Sequence, residues 1–208
     1  MLLLNTTSIE KYINNIEFAT LGPYETSSEF VTKQLCKQIQ CNVSNIELFD
    51  TYEKALENVK NGTSNVLLVA NAYNRINNFY MDNEVELLAT FIENTPQYGI
   101  ASRCNFDLSL LEDRSILKIA SHPAPIKKLD NYNDGIFENK KFDIKLFDST
   151  SAAAKSVKNN EFDLCLTNAQ AVDMYDLKFV SNLINISMVW SIFGRFDMLA
   201  SFALVKTI

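Results

Sequence analysis

Metal ligands, glycine loops and positive charge are all scarce in this sequence, and each shortage excludes a class of function. Among 208 residues there is one histidine, His122, and there are five glycines. A single histidine does not suit a zinc or iron cluster, and we predict a protein without a metal or other cofactor. Neither G-x-x-x-x-G-K nor G-x-G-x-x-G, the loops that cradle nucleotide phosphates, occurs. No Ser/His/Asp or Cys/His pattern indicates nucleophilic catalysis.

Basic residues are outnumbered by acidic ones. The chain has 19 lysines and arginines against 25 aspartates and glutamates, which gives a net charge of −6 and a pI of about 4.9. An acidic protein without a basic patch is a poor partner for nucleic acid. An anionic ligand would have to be held by local groups, such as helix N-termini, hydroxyl groups or single arginines.

Long hydrophobic runs are missing too. None could span a bilayer, and the beginning, MLLLNTTSIEKY, lacks the basic segment of a signal peptide. We therefore expect a cytoplasmic protein with no membrane partner. The four cysteines show no C-x-x-C spacing, and Cys165, inside the apolar run DLCLT, is expected to lie in the core.

The chain does contain an internal repeat. Leu48–Asp50 recurs as Leu146–Asp148, an offset of 98 residues, and Val59–Asn61 recurs at the same offset as Val157–Asn159. No gap is needed over roughly 50 residues. Such self-similarity predicts two structural halves of like build.

Each half has the same predicted order of elements. An apolar strand leads through a proline-containing turn to a helix, then to a strand ending in Leu-Phe-Asp, a second helix and a third strand. In the first half, the strands are expected at 18–21, up to Asp50 and at 65–70, and the helices at about 28–39 and from Thr51. In the second half, the strands are expected at 116–120, up to Asp148 and at 163–167, and the helices at about 125–132 and from Ser149. This alternation indicates β-α-β units and mainly parallel sheets.

The predicted fold class is therefore α/β, with two similar lobes of the type II periplasmic-binding-protein kind around a central cleft. We expect a first lobe of about residues 15–95 with C-terminal strands at about 180–208, and a second lobe of about 96–179. Further strands are expected at 85–93 and 98–103, and KFVSNLI and VWSIFGRF could cross back to the first lobe. In open α/β sheets, ligands bind beyond the carboxyl ends of the strands.

Hydroxyl and amide side chains crowd these strand ends, which read LGPYETSS, FDT, VANAYN, ASHPAP, FDSTSAA and LTNAQ. Such hydroxyls either cap a helix only, or also hold an anion there. Tyr73 and Arg75 follow a strand end and could face the cleft, although Arg75 fits a solvated loop equally well. His122, between serine and proline, is interpreted first as a structural loop residue.

Five of these stretches resemble, in order, motifs of the prephenate dehydratase catalytic domain. That family carries Leu-Gly-Pro-x-Gly-Thr-Phe-Ser, Pro-x-Glu-Asn-Ser, Ser-His-Pro, Ser-Thr-x-Ala-Ala and Thr-Arg-Phe. The runs here are LGPYETSS (21–28), ANAYN (70–74), SHP (121–123), STSAAA (149–154) and WSIF (190–193). The resemblance covers about residues 18–195 and implies a single dehydratase-like domain over 1–208, prephenate as substrate and a homodimer. The chain ends about 15 residues after WSIF, so no regulatory ACT domain is expected.

Departures from these motifs point away from the dehydratases. Glu25 stands in place of a glycine, Lys128 in place of a glutamine, and 72–74 read Ala-Tyr-Asn in place of Glu-Asn-Ser. If Phe193 sets the register, Thr-Arg-Phe appears as Ser-Ile-Phe, so the family's arginine is absent. That threonine is the proposed acid for the departing ring hydroxyl in the dehydratases.

The departures resemble the non-aromatising prephenate decarboxylases of bacilysin (anticapsin) and aeruginosin biosynthesis. The similar runs are GPxxTSSE, Phe-Tyr-Met (79–81), Thr-Pro-x-Tyr-Gly (95–99), SHPxPI, STSAAA and Trp-Ser-x-Phe-Gly (190–194). This resemblance implies that prephenate loses CO2, keeps its ring hydroxyl and gains a proton on a ring carbon.

The resemblance also suggests roles for individual residues. The catalytic candidates are Tyr73, His122 and Ser191, and the proton donor stays open between Tyr73, His122, a hydroxyl and water. Ile192, in place of the arginine, would favour loss of charge from the ring carboxylate. The candidate substrate contacts are Thr26, Ser28, Ser121, Ser149, Thr150, Ser151, Trp190 and Ile192.

Two alternatives remain at this level. One is an ordinary dehydratase that uses a serine as its acid, and the other is a non-catalytic protein that binds small anions. Ring-proton NMR with prephenate separates them, since aromatic product indicates the first and binding without turnover the second.

Overall fold

The computed structural model describes residues 16–196. These residues group into two compact units, and each is built on one five-stranded sheet. Residues 16–95 together with 187–196 form the first lobe, and residues 96–186 form the second lobe.

The first lobe follows the β-α-β order that the sequence predicts. Its elements are β1 (Phe18–Leu21), α1 (Ser27–Gln38), β2 (Ile46–Phe49), α2 (Tyr52–Lys60), β3 (Val66–Ala70), α3 (Asn77–Tyr80) and β4 (Val85–Asn94). A short 3-10 helix, Val43–Asn45, leads into β2.

The second lobe repeats this order after one extra strand. Its elements are β5 (Tyr98–Arg103), β6 (Ile116–Ser121), β7 (Lys141–Leu146), α4 (Thr150–Lys158), β8 (Leu164–Asn168), α5 (Ala169–Met174) and β9 (Leu177–Phe179). Short 3-10 helices lie at Leu108–Leu111, Ile126–Asn131 and Gly135–Phe137.

The two sheets have the same strand order. A last strand, β10 (Ser187–Arg195), belongs to the first lobe, whose order is β2-β1-β3-β10-β4; the second sheet runs β7-β6-β8-β5-β9. In each sheet the first three strands are parallel, and the fourth is antiparallel to both of its neighbours. This matching order confirms the α/β class and the like build of the two halves.

Matching hydroxyl groups begin the second helix of each repeat. The Thr51 hydroxyl oxygen accepts a hydrogen bond from the backbone N–H of Lys54 at 3.2 Å. The Ser149 hydroxyl oxygen accepts one from the N–H of Ala152 at 2.9 Å. Since the two caps are 98 residues apart, like residues in the repeat have like structural roles.

Apolar residues cover both faces of each sheet, as parallel strands require. In the first lobe, Val31 and Leu35 of α1 pack on one face, and Ala55 and Val59 of α2 pack on the other. In the second lobe one face is covered by the segment that includes Leu129 and Phe137, and the other by Ala153 and Val157 of α4. Cys165 is fully buried there, as expected.

Two sequence expectations differ from the structure. The segment predicted as a helix at about 125–132 is the 3-10 helix Ile126–Asn131. The segment KFVSNLI does not cross back to the first lobe, since β9 pairs with β5 and Ile184 forms a bridge to Tyr98. Only β10 returns.

Within residues 16–196, no helix is both long and apolar enough to cross a membrane.

Candidate active-site residues

The turn that follows β1 uses the Thr26 hydroxyl inside itself. Thr26 caps α1: its hydroxyl accepts a hydrogen bond from the Glu29 N–H at 3.3 Å and donates one to the carbonyl oxygen of Leu21 at 2.9 Å. Glu25, just before it, has φ of 67°, in the left-handed region where glycine is favoured. The Thr26 hydroxyl therefore closes the turn and fixes the start of the helix.

The Ser28 hydroxyl is also committed within the first lobe. Its oxygen lies 2.7 Å from the phenol oxygen of Tyr52, which in turn accepts the backbone N–H of Ala70 at 3.2 Å. Ser28 is 5% exposed and Tyr52 is 2% exposed. These bonds join α1, α2 and the end of β3, so Ser28 acts on the shape of the strand end.

Tyr73 lies just beyond β3 in an aromatic cluster. Its ring stacks on Phe79 at 5.9 Å between centroids and packs against Tyr52 at 4.9 Å. Its hydroxyl donates a 2.7 Å hydrogen bond to the Glu53 carboxylate. Burial, and then the neighbouring Glu53 carboxylate, raises the pKa of Tyr73 to about 12. The Tyr73 phenol therefore keeps its proton throughout neutral pH.

Arg75 takes the solvated position that the sequence left open. Its side chain is 66% exposed, and one guanidinium nitrogen lies 3.5 Å from Glu53. A surface ion pair of this kind contributes little to stability. Arg75 does place a positive charge near Tyr73.

Ser191 lies in a triangle of hydrogen bonds that the sequence did not reveal. Its hydroxyl donates to the Asn71 amide oxygen at 2.8 Å and lies 3.0 Å from the Tyr80 phenol oxygen. The Asn71 amide N–H donates to the same phenol oxygen at 3.2 Å. Ser191 is fully buried and Tyr80 is 38% exposed, so the triangle connects a buried hydroxyl with the surface.

The neighbours of Ser191 on β10 point the other way. Trp190 is fully buried in the core cluster beneath α1, and its indole N–H donates to the carbonyl oxygen of Glu93 at 3.3 Å. Ile192 is 8% exposed and lines a small apolar cavity of about 40 Å3 together with Phe18 and Leu35. Alternation along the strand separates both from Ser191, so neither shares its face of the sheet.

In the second lobe, three hydroxyl residues stand at the start of α4. Ser149 caps the helix, and the backbone carbonyl of Thr150 accepts a 3.0 Å hydrogen bond from the Thr167 hydroxyl of β8. Ser151 is 4% exposed, and its hydroxyl donates to the Tyr175 phenol oxygen at 3.3 Å. The first N–H groups of a helix have no partner inside it, so this fixed first turn can bind a carboxylate.

Ser121 ends β6, and His122 follows it. The Ser121 hydroxyl is buried and donates to the carbonyl oxygen of His122 at 2.9 Å. His122 Nδ1 accepts the N–H of Ala124 at 3.2 Å, which leaves the proton on Nε2 in the neutral ring. Burial lowers the pKa of His122, against a smaller opposing effect of Asp148, so the ring is neutral at pH 7.

Asn168 is a residue that sequence reasoning did not single out. It ends β8, is fully buried, and caps α5 by accepting the N–H of Ala171 at 2.9 Å. Its amide nitrogen has no hydrogen-bond partner among the described residues. An unused buried donor at the carboxyl end of a strand is costly to the fold and is available to a ligand. The only sequence signal for it was the run LTNAQ.

Comparison with known proteins decides the family. No protein-family model matches the chain. A prephenate decarboxylase of Bacillus subtilis (strain 168) is 37% identical over 196 residues, which cover 92% of this chain and 91% of that protein. A prephenate decarboxylase of Planktothrix agardhii (strain NIVA-CYA 126/8) is 36% identical over 185 residues, 88% of this chain and 90% of that protein.

The chain belongs to the prephenate decarboxylase family.

Solved structures agree with this family on the fold. The prephenate dehydratase of Arthrobacter aurescens, solved with L-Phe, matches with a TM-score of 0.65 at 14% identity. The match covers 86% of this chain and 60% of that longer protein. A periplasmic substrate-binding protein of an ABC transporter from Coxiella burnetii matches with a TM-score of 0.51 at 14% identity, over 92% and 90% of the two chains. These two matches support the dehydratase-like, periplasmic-binding-protein-like fold.

Within this decarboxylase-family chain, the predicted site residues fall into three groups. Tyr73 and Ser191 belong to the same aromatic face of the first lobe, where Phe79 packs between Tyr73 and Phe193. The serines and threonine of 149–151 stand together with Ser121 at the carboxyl ends of parallel strands in the second lobe. Trp190 and Ile192 lie in the core of the first lobe, and their contact with substrate stays a prediction.

A cavity of about 730 Å3 lies at the other end of the second sheet and is lined by Arg103, Lys158 and Asp176, among others. Lys158 is the last residue of α4, so the cavity is remote from the hydroxyl residues that begin this helix. It does not belong to the candidate site.

Proposed function

We propose that this chain decarboxylates prephenate without making its ring aromatic. The bond from the ring to its carboxylate breaks, CO2 leaves, and the freed electron pair moves through the ring double bonds to a ring carbon, which takes a proton. The ring hydroxyl stays. The observation that carries this proposal is the 36–37% identity to proteins named prephenate decarboxylase over nearly the whole chain.

The second lobe is proposed to hold the pyruvyl side chain of the substrate. Its carboxylate would accept hydrogen bonds from the first backbone N–H groups of α4, near Ser149, Thr150 and Ser151, where the helix dipole favours negative charge. Ser121 would shape the neighbouring turn, and the unused amide N–H of Asn168 would donate to a substrate oxygen.

Tyr73 and Ser191 are the proposed catalytic residues of the first lobe. Thr26 and Ser28 act indirectly here, since their hydroxyls fix the turn and the end of β3. Ile192 points into the core of the first lobe, so no role toward the substrate is proposed for it.

Tyr73 is the proposed donor of the ring proton; in the structure its hydrogen is bonded to Glu53, so to act the phenol must turn this hydrogen to the substrate. Its raised pKa keeps the phenol protonated at neutral pH, and a general acid must be protonated to act. His122 is the second candidate, through its imidazolium form, which is the minor form at pH 7 because burial lowers the pKa of His122. Ser191 is proposed to lie near the substrate hydroxyl without protonating it.

We also propose a cytoplasmic homodimer. The acidic composition supports neither nucleic acid nor an anionic membrane as a partner. The strand β4 is at the edge of its sheet, and edge strands offer unpaired backbone groups to another chain. Light scattering of the purified protein measures its mass directly, and a monomer would contradict this assembly.

The activity is tested by incubating the protein with prephenate and measuring released CO2 and phenylpyruvate in the same sample. The proposal predicts CO2 without phenylpyruvate. Equal amounts of the two would indicate a dehydratase, and binding without CO2 would indicate an anion-binding protein. A sample without protein controls for the spontaneous aromatisation of prephenate in acid.

A further inference from the structure

The triangle formed by Asn71, Tyr80 and Ser191 has one consistent direction. A serine hydroxyl has one hydrogen, and Ser191 gives it to the amide oxygen of Asn71. The Tyr80 phenol oxygen accepts the amide N–H of Asn71. The remaining 3.0 Å contact is therefore a hydrogen bond from Tyr80 to the Ser191 oxygen, and each group donates once and accepts once within the triangle.

Backbone and packing contacts hold the three groups in place. Asn71 directly follows β3, and its N–H donates to the carbonyl oxygen of Val189 on β10 at 3.0 Å. The Tyr80 ring packs edge-on against Phe193 at 5.1 Å between centroids. Ser191 has no exposed surface. The two bonds of Ser191 are part-buried and the bond between Asn71 and Tyr80 is exposed. Linked hydrogen bonds polarise one another, most strongly where they are shielded from water.

We infer that Asn71 and Tyr80 are positioning residues that determine the product by keeping the Ser191 hydrogen away from the substrate hydroxyl. This inference rests on the proposed function and adds the reason why the hydroxyl is retained. Ser191 alone would place an alcohol where the dehydratase motif has its threonine. With its hydrogen given to Asn71 and its oxygen occupied by Tyr80, Ser191 has no proton to deliver.

The two outcomes differ in where one electron pair goes. In both, the bond to the ring carboxylate breaks and CO2 leaves. In dehydration the electron pair moves through the ring and expels the hydroxyl, which takes one proton and leaves as water, giving phenylpyruvate. In the proposed reaction the pair ends on a ring carbon that takes the proton, and the C–O bond survives. Withholding a proton from the hydroxyl disfavours the first outcome.

The test is the product ratio of Asn71→Ala, in which Ser191 loses its hydrogen-bond acceptor. We expect the fraction of phenylpyruvate among the products to rise at least about tenfold, since a positioned acid contributes factors of about 10² or more. The double variant Asn71→Ala/Ser191→Ala should lose this gain, which assigns the proton to Ser191. Asn71→Asp keeps an acceptor oxygen and should keep the non-aromatic product.

After subtraction of the phenylpyruvate formed in a sample without protein, the product ratio is independent of how much of a variant is folded, so partial loss of stability does not affect the result. An unchanged ratio in Asn71→Ala, or a gain that persists in the double variant, would overturn the inference. Absence of CO2 from the unmodified protein would instead contradict the proposed function. Phenylpyruvate as the main product of the unmodified protein would contradict both.

Discussion

The hydroxyl oxygen of Ser28 lies 2.7 Å from the phenol oxygen of Tyr52, and both side chains are buried. Through Tyr52 this pair supports the backbone N–H of Ala70 at the end of β3, directly before Asn71. The hydroxyl-rich turn after β1 is therefore connected to the end of β3, which leads into the hydrogen-bond triangle. Contacts inside the first lobe thus stabilise the shape of this turn.

Ser28→Ala is expected to act on stability more than on substrate binding. It removes one partner of a buried hydrogen bond, so the free energy of unfolding should fall by about 1–2 kcal/mol. The KM for prephenate should change less than about twofold, because the hydroxyl points at Tyr52. Chemical denaturation and steady-state kinetics measure the two effects. A KM raised about tenfold or more would assign Ser28 to direct substrate contact.

Ser149→Ala should affect both stability and substrate affinity. Loss of the cap costs about 1 kcal/mol of stability and loosens the first turn of α4, so KM should rise. Thr51→Ala is the matched control, since Thr51 caps α2 at the corresponding position of the repeat. The control should lose similar stability with KM unchanged. Equal effects on KM in both variants would contradict carboxylate binding at α4.

Ile192→Arg is expected to damage the fold rather than restore a dehydratase. Ile192 lines an apolar cavity of about 40 Å3, and an unpaired buried guanidinium should cost more than about 3 kcal/mol. Ile192→Val, which removes one methylene, should cost only about 0.5–1.5 kcal/mol. Thermal unfolding of the two variants checks this order. A stable Ile192→Arg protein that makes phenylpyruvate would mean that Ile192 faces the substrate.

The pH dependence of kcat/KM distinguishes the two candidate proton donors. An acid must be protonated, so activity through Tyr73 should persist as pH rises from 7 to 10 and fall only near its pKa of about 12. Activity through the His122 imidazolium would already be falling below about pH 6.5, the ordinary pKa of histidine, because burial lowers the pKa of His122. We expect the first profile, and a fall of at least about 100-fold in kcat for Tyr73→Phe. Glu53→Gln is the matched control: it removes the charge bonded to Tyr73 but keeps the phenol.

Much of the fold could be predicted because the same local sequence signals occur in both halves of the repeat. Thr51 and Ser149 cap corresponding helices, and the strands ending in Leu-Phe-Asp occupy corresponding places in two sheets of the same order. Each of these features depends on residues close together in the sequence. Hydrophobic runs and caps therefore suffice to find them.

The candidate site could be predicted only in part because its contacts depend on strand register. Ser191 meets Asn71 because β10 pairs antiparallel with β3, which places Ser191 opposite Val69. The two residues are 120 positions apart, and no local pattern reports such a pairing. Motif comparison identified Ser191 and Ile192 together, although a strand places adjacent side chains on opposite faces. The orphan amide of Asn168 likewise depends on packing that the sequence does not display.

The most direct test of the account is an NMR time course of the ring protons of prephenate during turnover by the unmodified protein. The account predicts that the prephenate signals are replaced by a new set of vinyl signals with one CO2 released per molecule consumed, while the proton on the hydroxyl-bearing carbon persists. Aromatic signals as the main product, or prephenate signals that stay unchanged, would contradict it.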